Sequence, residues 1–150
     1  SALAAQVILT AFIPMLMDTG GNTGSQSSVT IIRAISLGEL EFKDLGHVLL
    51  KEFLTALMCG ITLGAVCFGK VMLVDGILFN NPEVTVLVGM VVCLTLAATV
   101  VVAKMIGCTL PLIAKKLGFD PAVMASPFIT TIVDALSLLL YLTIASSVLF

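Results

Sequence analysis

Residues 84–113 are thirty consecutive positions carrying a single charge, Lys104. A helix needs about 20 apolar residues to cross a hydrocarbon core of ~30 Å. This run is therefore a membrane span, long enough to tilt or kink, with Pro111 near its end. Residues 53–68 reach such a length with their flanks, and residues 121–149 make a further span. Asp120-Pro121 is a start signal for the last one, an N-cap acid followed by proline at the first helical position. Only 11% of the chain is charged, against about 25% in soluble domains, so lipid is its expected solvent. The net charge of −2 argues against nucleic acid or any large electrostatic partner.

The first segment is harder to fit. As one helix, residues 2–35 would be about 51 Å long, whereas residues 2–17 alone reach about 24 Å. Between them lies "DTGGNTGSQSS", residues 18–28. The economical expectation is a broken element: helix to about Met17, unwound glycine-rich backbone, then a second helix through "SVTIIRAI". Non-helical backbone at membrane depth survives only where protein or water satisfies it, and broken helices of that kind occur in transporters. An ordinary loop outside the membrane is the alternative.

The fold class predicted is thus an all-α membrane protein, a polytopic helical bundle with one broken helix at about 2–36 and others at 45–72, 84–114 and 121–149. Arg33, Lys43 and Lys51 lie between the first and second segments, Lys115 and Lys116 between the third and fourth, and Lys70 on the other side. The positive-inside rule puts loops 37–46 and 114–120 in the cytoplasm and 72–83 outside, as in a multi-pass protein of the cell membrane. The chain opens on Ser without a signal-peptide pattern, and a fragment of a longer protein is expected. Ala56, Gly60 and Gly64 recur every four residues, the spacing that lets membrane helices approach closely. Cys59, Cys67, Cys93 and Cys108 sit in apolar runs at spacings that suit neither zinc nor a redox pair, and read as small hydrophobes.

Asp18, Lys104 and Asp134 all fall deep in the membrane, where each costs at least ~2.5 kcal/mol to insert, so function is the default reading. Ser126, Thr130, Asp134, Ser137 and Tyr141 are spaced 4, 4, 3 and 4 apart, one face of a helix. The stripe suggests a pore lining, with an interhelical hydrogen-bond seam as the alternative. Pro127 is expected to free a carbonyl near Val123 as a further ligand. One carboxylate with hydroxyls and carbonyls is a hard oxygen set, suited to Mg²⁺ or Ca²⁺ rather than copper or zinc. A two-fold oligomer, the commonest kind, would bring two Asp134 side chains to one axis. Lys104 lies about 18 Å from Lys116 along its helix, too far to snorkel easily; it either pairs with a carboxylate or repels cations from one route.

"PMLMDTGGNTGSQSSVTIIRAI" and "DPAVMASPFITTIVDALSLLLYLTIA" resemble the two signature stretches of the MgtE family of magnesium channels, and "LLKEF" and "GCTLPLIAKKLGFDP" are also in place. The resemblance implies a homodimer of five-helix subunits with a central Mg²⁺ pore, a first helix and cytoplasmic regulatory domains lying beyond this chain. It makes Asp134 the pore carboxylate, with Thr130 supplying backbone oxygen. Gly21, Ser25 and Ser126 then line the pore, Asp18 heads the broken segment, and Asp120 and Glu52 are weaker metal contacts at the cytoplasmic rim. Lys104 departs from the family pattern.

Three rivals remain. "DTG" is the catalytic triplet of soluble aspartic proteases, and Asp18 with Asp134 could form an intramembrane proton-sharing dyad; yet nothing reads as β, and "MDT" and "VDA" do not match the intramembrane aspartyl proteases. A coupled secondary transporter would need a coupling-ion site and alternating access. A purely structural membrane subunit leaves the Asp134 stripe unexplained. The expected function is Mg²⁺ transport, without enzymatic activity.

Overall fold

The third apolar run becomes the hub of the molecule. The computed structural model describes the backbone of residues 2–124 and 126–149 and the side chains of 7–123 and 127–149. Four long helices follow one another: α1 (Ala2–Ser36), α2 (Leu45–Lys70), α3 (Val86–Lys116) and α4 (Ser126–Leu149). Among the described residues there is no strand. α3 touches the other three helices, α1 also touches α4, and α2 leans on α3 alone. Among the described residues, three segments are long and apolar enough to cross a membrane: Phe42–Leu78, Val86–Lys116 and Pro127–Leu149. The α3 span is 56% buried against 17% and 22% for the other two, which fits its central position.

Local chemistry explains the boundaries. The Thr85 hydroxyl accepts from the Val88 N–H at 3.2 Å and caps α3. Gly38 (φ 72°) and Gly118 (φ 82°) end α1 and α3 in the left-handed conformation that suits glycine. In both, the residue after the glycine bonds back across the turn: Glu39 N–H to Ala34 at 3.0 Å, Phe119 N–H to Ala114 at 2.9 Å. Lys115 and Lys116 sit at the negative end of α3, where Lys116 lies 4.0 Å over the Phe42 ring. This brings the 37–44 connection and the α3 terminus to one end of the bundle. α2 runs on as a π-helix, Val71–Leu78, where Lys70 pairs with Asp75 at 2.7 Å.

The small-residue row on α2 does what its spacing implies. Ala56, Gly60, Gly64 and Cys67 are buried, and a Cβ on Gly60 would stand 3.0 Å from the Ala97 carbonyl oxygen. The opposite face of α2 exposes Leu54, Met58, Ile61 and Val66, as a lipid-facing surface does.

The break expected in the first segment is absent: α1 is one helix of 35 residues, and residues 18–28 are helical throughout. Gly20, Gly24 and Ser28, again four apart, form a bare buried row on α1. A helical glycine costs about 1 kcal/mol relative to alanine. Here that cost is offset by contact, because a Cβ on Gly24 would come within 3.1 Å of Ile129 and Val133. Through residues 18–28 the α-helix also satisfies the backbone without a cavity, which unwound backbone cannot do. Pro127 corrects a second expectation. It lies in the first turn of α4, where a missing N–H is tolerated, so it frees no carbonyl inside a helix. Likewise, Asp120-Pro121 opens a short 3-10 turn (Pro121–Met124) before α4, with the Asp120 carboxylate accepting from the Ala122 N–H at 2.9 Å.

Candidate ion site

α1 lies between α3 and α4, and its faces divide the polar residues among three neighbourhoods. Gly20, Gly24 and Ser28 turn inward. Gly24 rests its carbonyl directly on Gly107 of α3, so the two backbones meet with no side chain between them. Asp18, Gly21 and Ser25, at intervals of three and four, share the face that meets α4. There a Cβ on Gly21 would stand 3.2 Å from the Thr130 methyl and 3.4 Å from Asp134 Oδ1. The glycine leaves a bare stretch of helix opposite the carboxylate.

Asp134 is half-buried and Asp18 exposed. The two are close enough to repel one another. Among the described residues no hydrogen bond or ion pair engages the Asp134 carboxylate, so its charge is directed into the space beside α1. Thr130, one turn earlier, donates its hydroxyl to the Pro127 carbonyl at 3.0 Å. Ser25 is buried, 8% exposed, one turn beyond Gly21. The side chain of Ser126 lies outside the described residues. Among those described, no three His, Cys, Asp or Glu stand together as a metal cluster; on the face of α1 that meets α4 the acids are Asp18 and, across from it, Asp134.

The stripe on α4 is only partly a lining. Ser137 is 2% exposed and donates to its own Val133 carbonyl at 2.7 Å. Tyr141 is 1% exposed, and its hydroxyl donates to the Leu9 carbonyl of α1 at 2.8 Å. Tyr141 makes the interhelical hydrogen bond that was the alternative reading, and Ser137 packs against Gly20 of α1 without bonding across, while Thr130 and Asp134 stay accessible. Past this seam a hollow of about 560 Å³ lies between Leu9, Ile13 and Leu142; Thr10, Thr143 and Ser146 also line it, and no carboxylate does.

Glu52 and Asp120 are placed apart from Asp134. Asp120 is exposed at the start of the 3-10 turn. Glu52 accepts from Lys104 Nζ at 2.5 Å across the α2–α3 contact, the side chains 21% and 17% exposed. That pair answers the question of what Lys104 does at membrane depth. It borders a groove of about 380 Å³ between α1 and α2, with Asn22, Gln26 and Thr30 on the α1 wall. Sequence reasoning did not find this groove, because it depends on a contact between residues 52 positions apart.

Comparison with known proteins agrees with the first impression of the motifs. The MgtE family model, described as a divalent cation transporter, matches residues 13–144. The chain is 38% identical over 145 residues to the magnesium transporter MgtE of Thermus thermophilus. It is 38% identical over 146 residues to that of Bacillus subtilis and 34% identical over 146 residues to that of Enterococcus faecalis. Each match covers 97% of this chain and 30–31% of the relative, so the chain spans about three tenths of the length of these curated relatives.

Proposed function

Because the chain belongs to the MgtE family of divalent cation transporters, we propose that it forms the transmembrane ion path of a magnesium transporter, with Asp134 as the carboxylate a passing Mg²⁺ meets. The observation that carries this reading is the placement of Asp134 against the bare backbone of Gly21, with no cationic side chain to neutralise it. Thr130, Asp18, Gly21 and Ser25 border the same path. In a homodimer with its axis along this face, Asp134 is contributed twice.

The physics favours a dication. Unit charges 4 Å apart attract by about 4 kcal/mol at an effective dielectric of 20, and a dication doubles that. Mg²⁺ gives up its waters reluctantly, so contact through water suits a site with so few charges, one that holds the ion weakly enough to release it. Flow through a channel-like dimer pore is the mechanism proposed. The basic residues Arg33, Lys43, Lys51, Lys115 and Lys116 gather toward the end of the bundle that carries the 37–44 connection, and we assign that end to the cytoplasm. Membership in a family of transporters leaves no role for the Asp18–Asp134 pair as a protease dyad.

The test is Mg²⁺ uptake into liposomes, with the Mg²⁺/Na⁺ permeability ratio taken from reversal potentials. Asp134→Asn keeps size and hydrogen bonding but removes the charge, so divalent selectivity should be lost while the dimer still assembles. Asp134→Glu keeps the charge and narrows the path, so conduction should suffer more than binding. An Asn variant as selective as the parent would sink the assignment.

A further inference from the structure

The groove on the other side of α1 holds chemistry that the Asp134 path does not use. Its α1 wall offers the amides of Asn22 and Gln26 and the hydroxyl of Thr30, all exposed. Ser27 borders it as well, 5% exposed, its Oγ without an oxygen or nitrogen partner and beside the Cys108 thiol. Glu52 supplies one carboxylate. A carboxylate with amide and hydroxyl oxygens is a hard donor set of the kind that binds Mg²⁺ or Mn²⁺. It is also the same type of set as the one around Asp134. What distinguishes the groove is the ammonium of Lys104, 2.5 Å from Glu52 Oε2.

We propose that this groove is a cation-binding site that the protein fills with its own ammonium. Lys104 Nζ takes the place of a metal cation between Glu52 and the α1 oxygens, and so keeps dications off this side of α1. The reasoning is electrostatic. An ammonium is a compact point charge with three donors and no acceptor, able to satisfy Glu52 and still face neutral oxygens. It brings the charge of the pair to zero, whereas the opposite face of α1 carries two uncompensated carboxylates. A partly buried carboxylate stripped of its partner is costly, so with Lys104 removed Glu52 would draw in a soluble cation.

The test reads Mn²⁺ binding to the chain in detergent by electron paramagnetic resonance. It is done in an Asp134→Asn background, so that its failure and that of the Asp134 assignment are separable. In that background Glu52→Gln should release no Mn²⁺. Lys104→Met should tighten binding by roughly tenfold or more, with an additional ion bound per chain and displaced by Mg²⁺. Adding Glu52→Gln to Lys104→Met should abolish the gain. Gln26→Glu leaves the ion pair intact and adds a second carboxylate to the groove, so it too should gain Mn²⁺; it decides the matter if Lys104→Met does not fold. Three outcomes overturn the proposal: no gain in the variants that fold, a gain that survives Glu52→Gln, or Mn²⁺ held by Glu52 with Lys104 in place.

Discussion

Asp134 and Glu52 are both half-buried carboxylates on helices that flank α1, and the protein treats them in opposite ways. Glu52 is held by Lys104 at 2.5 Å, joining α2 to α3. Asp134 faces the bare backbone of Gly21, with a second acid as its electrostatic neighbour. A charge already matched in the folded state contributes to structure, and an incoming ion gains little from it. A charge left unmatched costs stability and is available for binding. The same residue chemistry thus serves anchoring on one side of α1 and ion attraction on the other.

This contrast can be broken most forcefully at the matched pair. Glu52→Gln strands a partly buried ammonium, and losing one partner of a buried pair costs 3–5 kcal/mol; with about a fifth of each side chain exposed, we expect about 2–3 kcal/mol. Thermal unfolding in detergent should show that loss, and Glu52→Gln with Lys104→Met should recover most of it. Equal losses in the single and double variants would mean that the pair anchors nothing.

A comparable effect is expected where both sides of α1 are set at once. Gly107→Ala would push a methyl into the Gly24 carbonyl of α1, and overpacking of this kind costs about 1–3 kcal/mol. Both faces should be disturbed together: transport should fall alongside stability, unlike in Glu52→Gln. A silent Gly107→Ala would show that α1 and α3 are farther apart than this contact requires.

The smallest change in stability belongs to the residue with the largest proposed role. Asp134→Asn removes a repulsion with Asp18 and breaks no bond, so unfolding should move by no more than about 0.5 kcal/mol, the range of substitutions that disturb no packed contact. A marked loss of stability would identify an Asp134 partner and erase its contrast with Glu52.

Much of this was legible because it rests on local periodicity. The apolar runs predict helices, and the four-residue spacing of Ala56, Gly60 and Gly64 predicts a close helix contact, which forms with α3. The spacing of Thr130 and Asp134 puts them on one face. The continuity of α1 was missed although the same rule contains it. Gly20, Gly24 and Ser28 have the spacing used on α2, but the length of about 51 Å for an unbroken helix and the glycine-rich stretch at 18–28 drew the reading toward unwound backbone. Tertiary context then favoured packing over local propensity. Ser137 and Tyr141 could not be separated from Thr130 and Asp134 by periodicity, since a seam and a lining have the same repeat. Which one forms depends on the partner helix, here the Leu9 carbonyl of α1. The Glu52–Lys104 pair depends on a meeting of two helices that no local pattern encodes.

The unbroken course of α1 has a mechanical consequence. Between Pro14, whose ring removes one backbone hydrogen bond, and Ser36 no residue breaks the helix, and this length moves as a rod pressed backbone to backbone on α3 at Gly24. From there about 18 Å of helix run to Ser36 and about 15 Å to Pro14. Pivoting on that contact makes the rod a lever with nearly equal arms, so that about 1 Å of travel at the Ser36 end becomes a little under 1 Å of opposite travel at Pro14. Asp18 and Gly21 lie between Pro14 and the fulcrum, where the same swing displaces them by only a fraction of that distance.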